Sequence, residues 1–322
     1  MRITFSILLL IQFLPFQAGA VSGERATTAG TFLKLPAGAR SVSLGEACSA
    51  GCGGPDALFW NPARLGVRPE LGSSGPESRP RHSAALSHVE YLEGSSLEQA
   101  AYSYSSSWGS VGAGFRYLSV GRIVETDETG ASMGSFSPSD AAFLLGYART
   151  LGEGASFLEG FSLGASAKYL ESQVLAMARS WAVDLGILSP SYLGNSLSFA
   201  AVLRNLGGDL KFETESEELP LEGRLGAACR FLGSWQVSLD IGIPRDDDLF
   251  GAMGVEYSRR AGKDWTVSGR AGFNSKLVGD VRGFSGAAFG LGLGFRGLGF
   301  DYALRPMGSL GSPHHFTLTV SF

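Results

Sequence analysis

The final seven residues, Phe316-Thr317-Leu318-Thr319-Val320-Ser321-Phe322, alternate strictly between apolar and polar. A period of two predicts a strand with one apolar and one polar face. The sequence stops on the apolar face, so this strand is expected to close a sheet against the first one. The same rhythm runs back to about His82. It is carried by Val111, Ala113, Phe115 and Tyr117, by Phe161, Leu163, Ala165, Ala167 and Tyr169, and by Trp181, Val183, Leu185 and Ile187. Trp235, Val237, Leu239, Ile241 and Ile243 give its cleanest case, and Phe289, Leu291, Leu293 and Phe295 lead into Phe300, Tyr302 and Leu304. About fourteen such segments fit between His82 and Phe322, in line with the even strand counts of single-chain bacterial barrels.

The intervening positions decide which face is wet. They hold Arg116, Lys168, Asp184, Arg204, Glu222, Arg224, Arg230, Asp240, Glu256, Arg270, Asp301 and Arg305. Charges of both signs thus share one face of many strands, and aromatic residues gather at the strand ends of the other. This predicts an all-β fold, a closed antiparallel transmembrane β-barrel with its charges in the lumen and its apolar face in lipid. Lipid offers no hydrogen-bond partners, so the sheet closes without a free edge. Gly290, Gly292 and Gly294 fall on inner positions, where the wall can approach a plug. The lumen charges admit two readings: a polar conduit or ligand site, or an electrostatic web that holds a plug and stiffens the wall.

The connections give a second, independent signal. Leu232-Gly233-Ser234 and Arg296-Gly297-Leu298 read as tight turns. Long polar stretches alternate with such turns: 121–139, 207–220, 244–248, 274–283 and 307–313. Outer-membrane barrels show this asymmetry, with the long loops facing outward.

The amino-terminal part differs in kind. Residues 1–20 read as a secretory signal: Arg2, an apolar run from Ile3 to Phe16, and the small-residue site Ala18-Gly19-Ala20. Export through a cleaved signal would place the chain in a bacterial outer membrane. Residues 21–81 are expected to form a flexible lead-in before Leu35, a compact irregular hatch with short helical turns from Leu35 to Gly66, and a Ser/Pro/Gly linker from Leu71 to Arg81. The barrel would occupy 82–322.

Bulk composition agrees. Only 17% of the 322 residues are charged and 46 are glycine, and a net charge of −4 gives no basic field for nucleic acid. The mature sequence has no run of 18 uninterrupted apolar residues, which disfavours a helical membrane protein. Cys48 and Cys52, four apart, can bridge across a helical turn in an oxidising compartment. Cys229 falls on an apolar-facing position and is read as inert.

Other motifs are weak. Gly292-Leu-Gly294-Phe-Arg-Gly297 spells a dinucleotide fingerprint without the helix it needs. Asp246-Asp247-Asp248 reads better as a solvated acidic turn than as a calcium site. Glu213, Glu215, Glu217 and Glu218 read as a solvated loop. His314 and His315 lack a third metal ligand. No metal site, cofactor or catalytic constellation is expected, so the protein is read as non-enzymatic.

Several short pieces carry a resemblance. Ala37-Gly38-Ala39-Arg40 with Leu44-Gly45, then Trp60-Asn61-Pro62-Ala63-Arg64-Leu65, resemble the hatch signature of the PorV/PorQ family, which is related to FadL-type outer-membrane barrels. Asn205-Leu206-Gly207, Pro220-Leu221 leading to Arg224-Leu225-Gly226, and Pro244-Arg245-Asp246-Asp247-Asp248 extend it over the mature chain. The resemblance implies a fourteen-stranded barrel occluded by a hatch that includes Arg40, Trp60, Asn61, Pro62 and Ala63. It implies a component of type IX-like protein secretion that docks secreted cargo or secretion-machine subunits at the cell surface. The alternative is a FadL-type transporter of hydrophobic small molecules, such as long-chain fatty acids. Two departures lie in the hatch: Cys52-Gly53-Gly54-Pro55 stands where members often carry an Asp pair and a small residue, and Arg64 stands where glycine is common.

Overall fold

A computed structural model describes residues 28–65 and 81–322, apart from 92–93, 153–157, 175, 213–214 and 279–280. The predicted signal at 1–20 and nearly all of the 71–81 linker lie outside the described residues. In chain order the strands are β1 (His82–Glu90), β2 (Ser96–Ser105), β3 (Ser110–Ser119), β4 (Ile123–Thr126), β5 (Ser132–Phe136) and β6 (Ser139–Thr150). Next come β7 (Ser162–Gln173), β8 (Met177–Leu188), β9 (Leu197–Gly207), β10 (Leu210–Phe212), β11 (Glu215–Glu217) and β12 (Glu222–Phe231). The last six are β13 (Trp235–Pro244), β14 (Phe250–Ala261), β15 (Trp265–Asn274), β16 (Ala287–Phe295), β17 (Leu298–Leu304) and β18 (His314–Ser321).

Fourteen of these form a closed antiparallel barrel; β4–β5 and β10–β11 are separate hairpins in two of the long loops. The terminal strand closes it as expected. β18 pairs with β1 from Ser83↔Ser321 to Glu90↔His314. His82 and Phe322 then exchange backbone hydrogen bonds of 2.9 Å in both directions. No helix among the described residues is long and apolar enough to cross a membrane.

The apolar face points out on every wall. Leu145 is 69% exposed, Trp181 65% and Leu291 65%, values that suit contact with lipid rather than water. Aromatic rings mark two girdles. At the proximal end, where the sheet begins and ends, Trp108 stacks on Tyr147, Trp235 meets Tyr257 and Trp265 meets Phe295. At the distal end Phe115, Phe143, Tyr169 and Trp181 form a ladder across β3, β6, β7 and β8. The five long stretches named above leave the distal end, while the proximal end carries the connections 151–161 and 189–196 besides its tight turns.

One wall is irregular. Between β8 and β9 the register shifts at Val183/Leu185. Asn205 there adopts φ 60° and its N–H donates to Asp184 Oδ1 at 2.8 Å. The bulge turns the polar Asn205 inward and Leu206 out to the lipid face.

Candidate functional site

The lumen is filled by residues 28–65, which enter at the distal end and run to the proximal end. Small residues and breaks let this hatch fold as short turns: a 3₁₀ turn at Thr31–Lys34, a helix α1 at Ala39–Ser43, and 3₁₀ turns at Pro55–Phe59 and Pro62–Arg64. Proline opens each of the last two turns, at a position where its missing N–H is not needed. Asn61 caps the final turn, accepting from the Ala63 N–H at 3.0 Å and donating through Nδ2 to the Ser49 carbonyl at 2.7 Å. Trp60 Nε1 donates to the Ala37 carbonyl at 2.9 Å. A disulfide joins Cys48 and Cys52. Ala39, Leu44, Ala57, Leu58, Asn61 and Ala63 are all inaccessible to solvent.

Charged wall residues grip this hatch in three groups. In the first, Arg40 donates to Glu256 at 2.8 and 3.1 Å, and Arg270 bridges Glu256 and Asp301. In the second, Glu46 accepts from Arg305 at 2.6 Å and lies 3.6 Å from Arg224, which also pairs with Glu222. Asp240 joins that group, accepting from the Cys48 and Ser49 amides at 3.1 and 2.9 Å and from Ser49 Oγ at 2.6 Å. In the third, Lys168 pairs with Asp184 at 2.7 Å beside the bulge. Arg116 there donates to the Phe32 and Leu33 carbonyls, and Arg204 lies 3.4 Å from Glu222. Arg230 sits apart, its Nε on Gln236 at 3.2 Å.

Glycine notches seat the hatch against two opposite walls. A Cβ at Gly254 or Gly272 would come within 2.5 and 2.1 Å of hatch backbone at Leu44 and Gly45. A Cβ at Gly164 would come within 2.2 Å of the Ala63 nitrogen, and one at Gly186 within 2.0 Å of Asn61 Oδ1. Of the three glycines singled out above, Gly290 abuts Ser43 of the hatch, whereas Gly292 makes room for Asp301 and Arg270. On the lipid side of the second wall runs a groove of about 340 Å³, lined by Leu145, Gly146, Tyr147, Ala165, Ser166, Ala167 and Val183. Directly behind Gly146 lie Leu58 and Leu65 of the hatch.

Two expectations change. Residues 28–34 are not a free lead-in: Phe32 and Leu33 are buried at the distal mouth, under Leu210 and Leu219 of the β9–β12 loop. Asp246 is not a solvated turn residue. It is buried and accepts from both Lys34 and Thr28, because a lysine inside the mouth draws a carboxylate after it. Burial alone would raise the Asp246 carboxyl, but hydrogen bonds from Lys34 and Thr28 prevail and hold it below its ordinary value of 3.8. Sequence reasoning missed Lys34 and Glu46, since irregular segments have no period from which to read a side chain's direction. The positive φ of 68° at Glu46 could not be read from a glutamate. The two hatch departures form one unit: Arg64 Nε donates to the Cys52 carbonyl at 3.1 Å.

Among the described residues no group of three or more His, Cys, Asp or Glu side chains is placed to hold a metal. No family model matches the chain, and no curated protein matches it in sequence. Solved structures do match over nearly its whole length. The toluene transporter TodX of Pseudomonas putida superposes with a TM-score of 0.58 at 14% identity, covering 88% of this chain and 97% of its own. The barrel has the FadL-like fold. The toluene transporter TbuX of Ralstonia pickettii matches with a TM-score of 0.51 at 13% identity, over 89% of this chain and 98% of its own. A FadL homologue of Pseudomonas aeruginosa gives 0.50 at 9% identity over the same shares.

The barrel therefore resembles bacterial outer-membrane proteins. These matches overturn the secretion-docking expectation, since they are hydrocarbon transporters and a FadL homologue and lend nothing to PorV/PorQ. The physical reason lies in the pieces that carried the resemblance. Trp60-Asn61-Pro62-Ala63 and Leu44-Gly45 cap hatch turns and fit glycine notches, so they report how a FadL-like barrel is plugged, not what binds its loops.

Proposed function

We propose that the protein admits hydrophobic small molecules across a bacterial outer membrane, reached by export through a cleaved signal at 1–20. One observation carries the reading: an apolar groove on the lipid-facing wall is separated from the apolar hatch residues Leu58 and Leu65 by glycine backbone alone. An apolar solute gains by leaving water for that surface, and a plugged lumen keeps hydrophilic solutes from following. The similarity to two toluene transporters supports the same class of cargo. Lipid is the surrounding solvent, and no protein partner is needed.

The test is uptake of labelled toluene and of a labelled long-chain fatty acid by cells that carry the full-length protein. Uptake of one or both is expected above the empty vector. Ala165→Trp and Ala167→Trp, which fill the groove without touching the hatch, are expected to lower it. Uptake equal to the vector for both compounds overturns the reading.

A further inference from the structure

The third charge group is unbalanced. A cavity beside the hatch, about the size of one water molecule, is lined by Leu33, Phe59, Arg116, Ala142, Leu144, Lys168 and Arg204. Every charged group on it is a cation. Arg116 is 3% exposed, and among the described residues no carboxylate lies within salt-bridge reach of it; its Nη1 bonds the Phe32 and Leu33 carbonyls, at 3.1 and 3.3 Å. Arg204 shares Glu222 with the closer Arg224. The Nε atoms of both Arg116 and Arg204 are buried without a partner. Lys168 is better supplied, with Asp184 at 2.7 Å and Asn205 Oδ1 at 2.6 Å. Like charges brought together away from water repel strongly, and unpaired guanidinium N–H groups are costly to bury.

We infer that one halide ion binds among Arg116, Lys168 and Arg204 and fastens the hatch to the wall. The cavity is about the size of a single water, which suits a one-atom anion and leaves no room for a carboxylate of several heavy atoms. Guanidinium and ammonium N–H groups are the donors such an ion takes. On the hatch side Leu33 and Phe59 line the cavity; the Phe59 ring lies 5.3 Å from the Arg116 guanidinium carbon, and outside the cavity the Trp60 ring lies 5.3 Å from that of Arg204. Neutralising the cations lets both guanidinium groups remain stacked on the hatch. An empty site pushes β3, β7 and β9 apart where the hatch leans on them. This inference does not depend on the transport reading.

The experiment is thermal unfolding of the full-length protein in detergent micelles, in sodium chloride, sodium formate or sodium gluconate at equal ionic strength. Gluconate is too large for the cavity. A saturable rise in midpoint of roughly 2–4 °C over gluconate is expected, the shift that salt at about 10 to 100 times the site's Kd gives a protein of this length. A rise in chloride that formate does not reproduce supports the halide, and a rise in formate alone overturns it. Arg116→Gln is expected to abolish the rise; if that variant does not assemble, Lys168→Met takes its place. Identical midpoints in all three salts, or a rise that survives in the variant, overturn the inference.

Discussion

His315 sits on the lumen face of β18, 1% exposed, edge-on to the Tyr91 ring at 6.0 Å between centroids. Neither ring nitrogen has a partner, and the Tyr91 hydroxyl is unpaired beside it. A buried polar group without a hydrogen bond destabilises the fold, and a same-shaped apolar side chain removes that penalty. His315→Phe is therefore expected to stabilise the protein by about 1–2 kcal/mol, read from denaturant unfolding in detergent. The site was half legible. Alternation placed His315 on the inner face, but which inner groups find partners depends on hatch atoms more than 200 positions away in sequence. The lumen charges show the same division. Their direction followed from a period of two, whereas the pairing of Arg305 with Glu46 or of Arg270 with Asp301 could not be read from spacing.

The hatch behaves as one element, clamped to the wall at the distal mouth and braced internally by its disulfide. At the distal mouth Asp246 clamps Lys34 and Thr28. An acid held below its ordinary value contributes stability at higher pH and loses it as pH falls through the folded-state value. The clamp is thus expected to hold at neutral pH and to open only in acid below 3.8, seen as faster amide exchange over 28–34. Asp246→Asn is expected to open it at neutral pH, with a local loss of about 1–2 kcal/mol, because a partly buried ammonium loses its carboxylate. In the middle, the Cys48–Cys52 bridge closes a short loop. Replacing both cysteines with serine is expected to cost about 2 kcal/mol on loop entropy alone, read as a lower midpoint for hatch unfolding. Strands were legible because each repeats one simple rule for ten residues. The hatch was legible only as an exception to that rule: its bounded compactness showed, and its inclusion of Phe32 and Leu33 did not.

At the scale of the molecule, a barrel of fourteen strands encloses more space than its own side chains fill, so the wall and the plug must be fitted to each other. Here the fit is made by glycines. Gly272 faces the backbone of Leu44 and Gly45, and Gly164 that of Pro62 and Ala63; no side-chain rotation can relieve a new contact at either place. The barrel ladder does not need these residues to be glycine, since any side chain can occupy a strand facing an open lumen. The two requirements can therefore be separated. Gly164→Val or Gly272→Val is expected to displace the hatch while leaving the fourteen-strand closure, which rests on backbone pairing from β1 round to β18, intact. In planar bilayers the wild-type protein is expected to conduct ions poorly and either variant to open a conductance many times larger, with unchanged β-sheet circular dichroism. Equal conductance in variant and wild type would mean that the notches do not seat the plug. Because a displaced hatch also passes hydrophilic solutes, the same variants are expected to lose the selectivity for apolar cargo that the proposed transport through the wall requires.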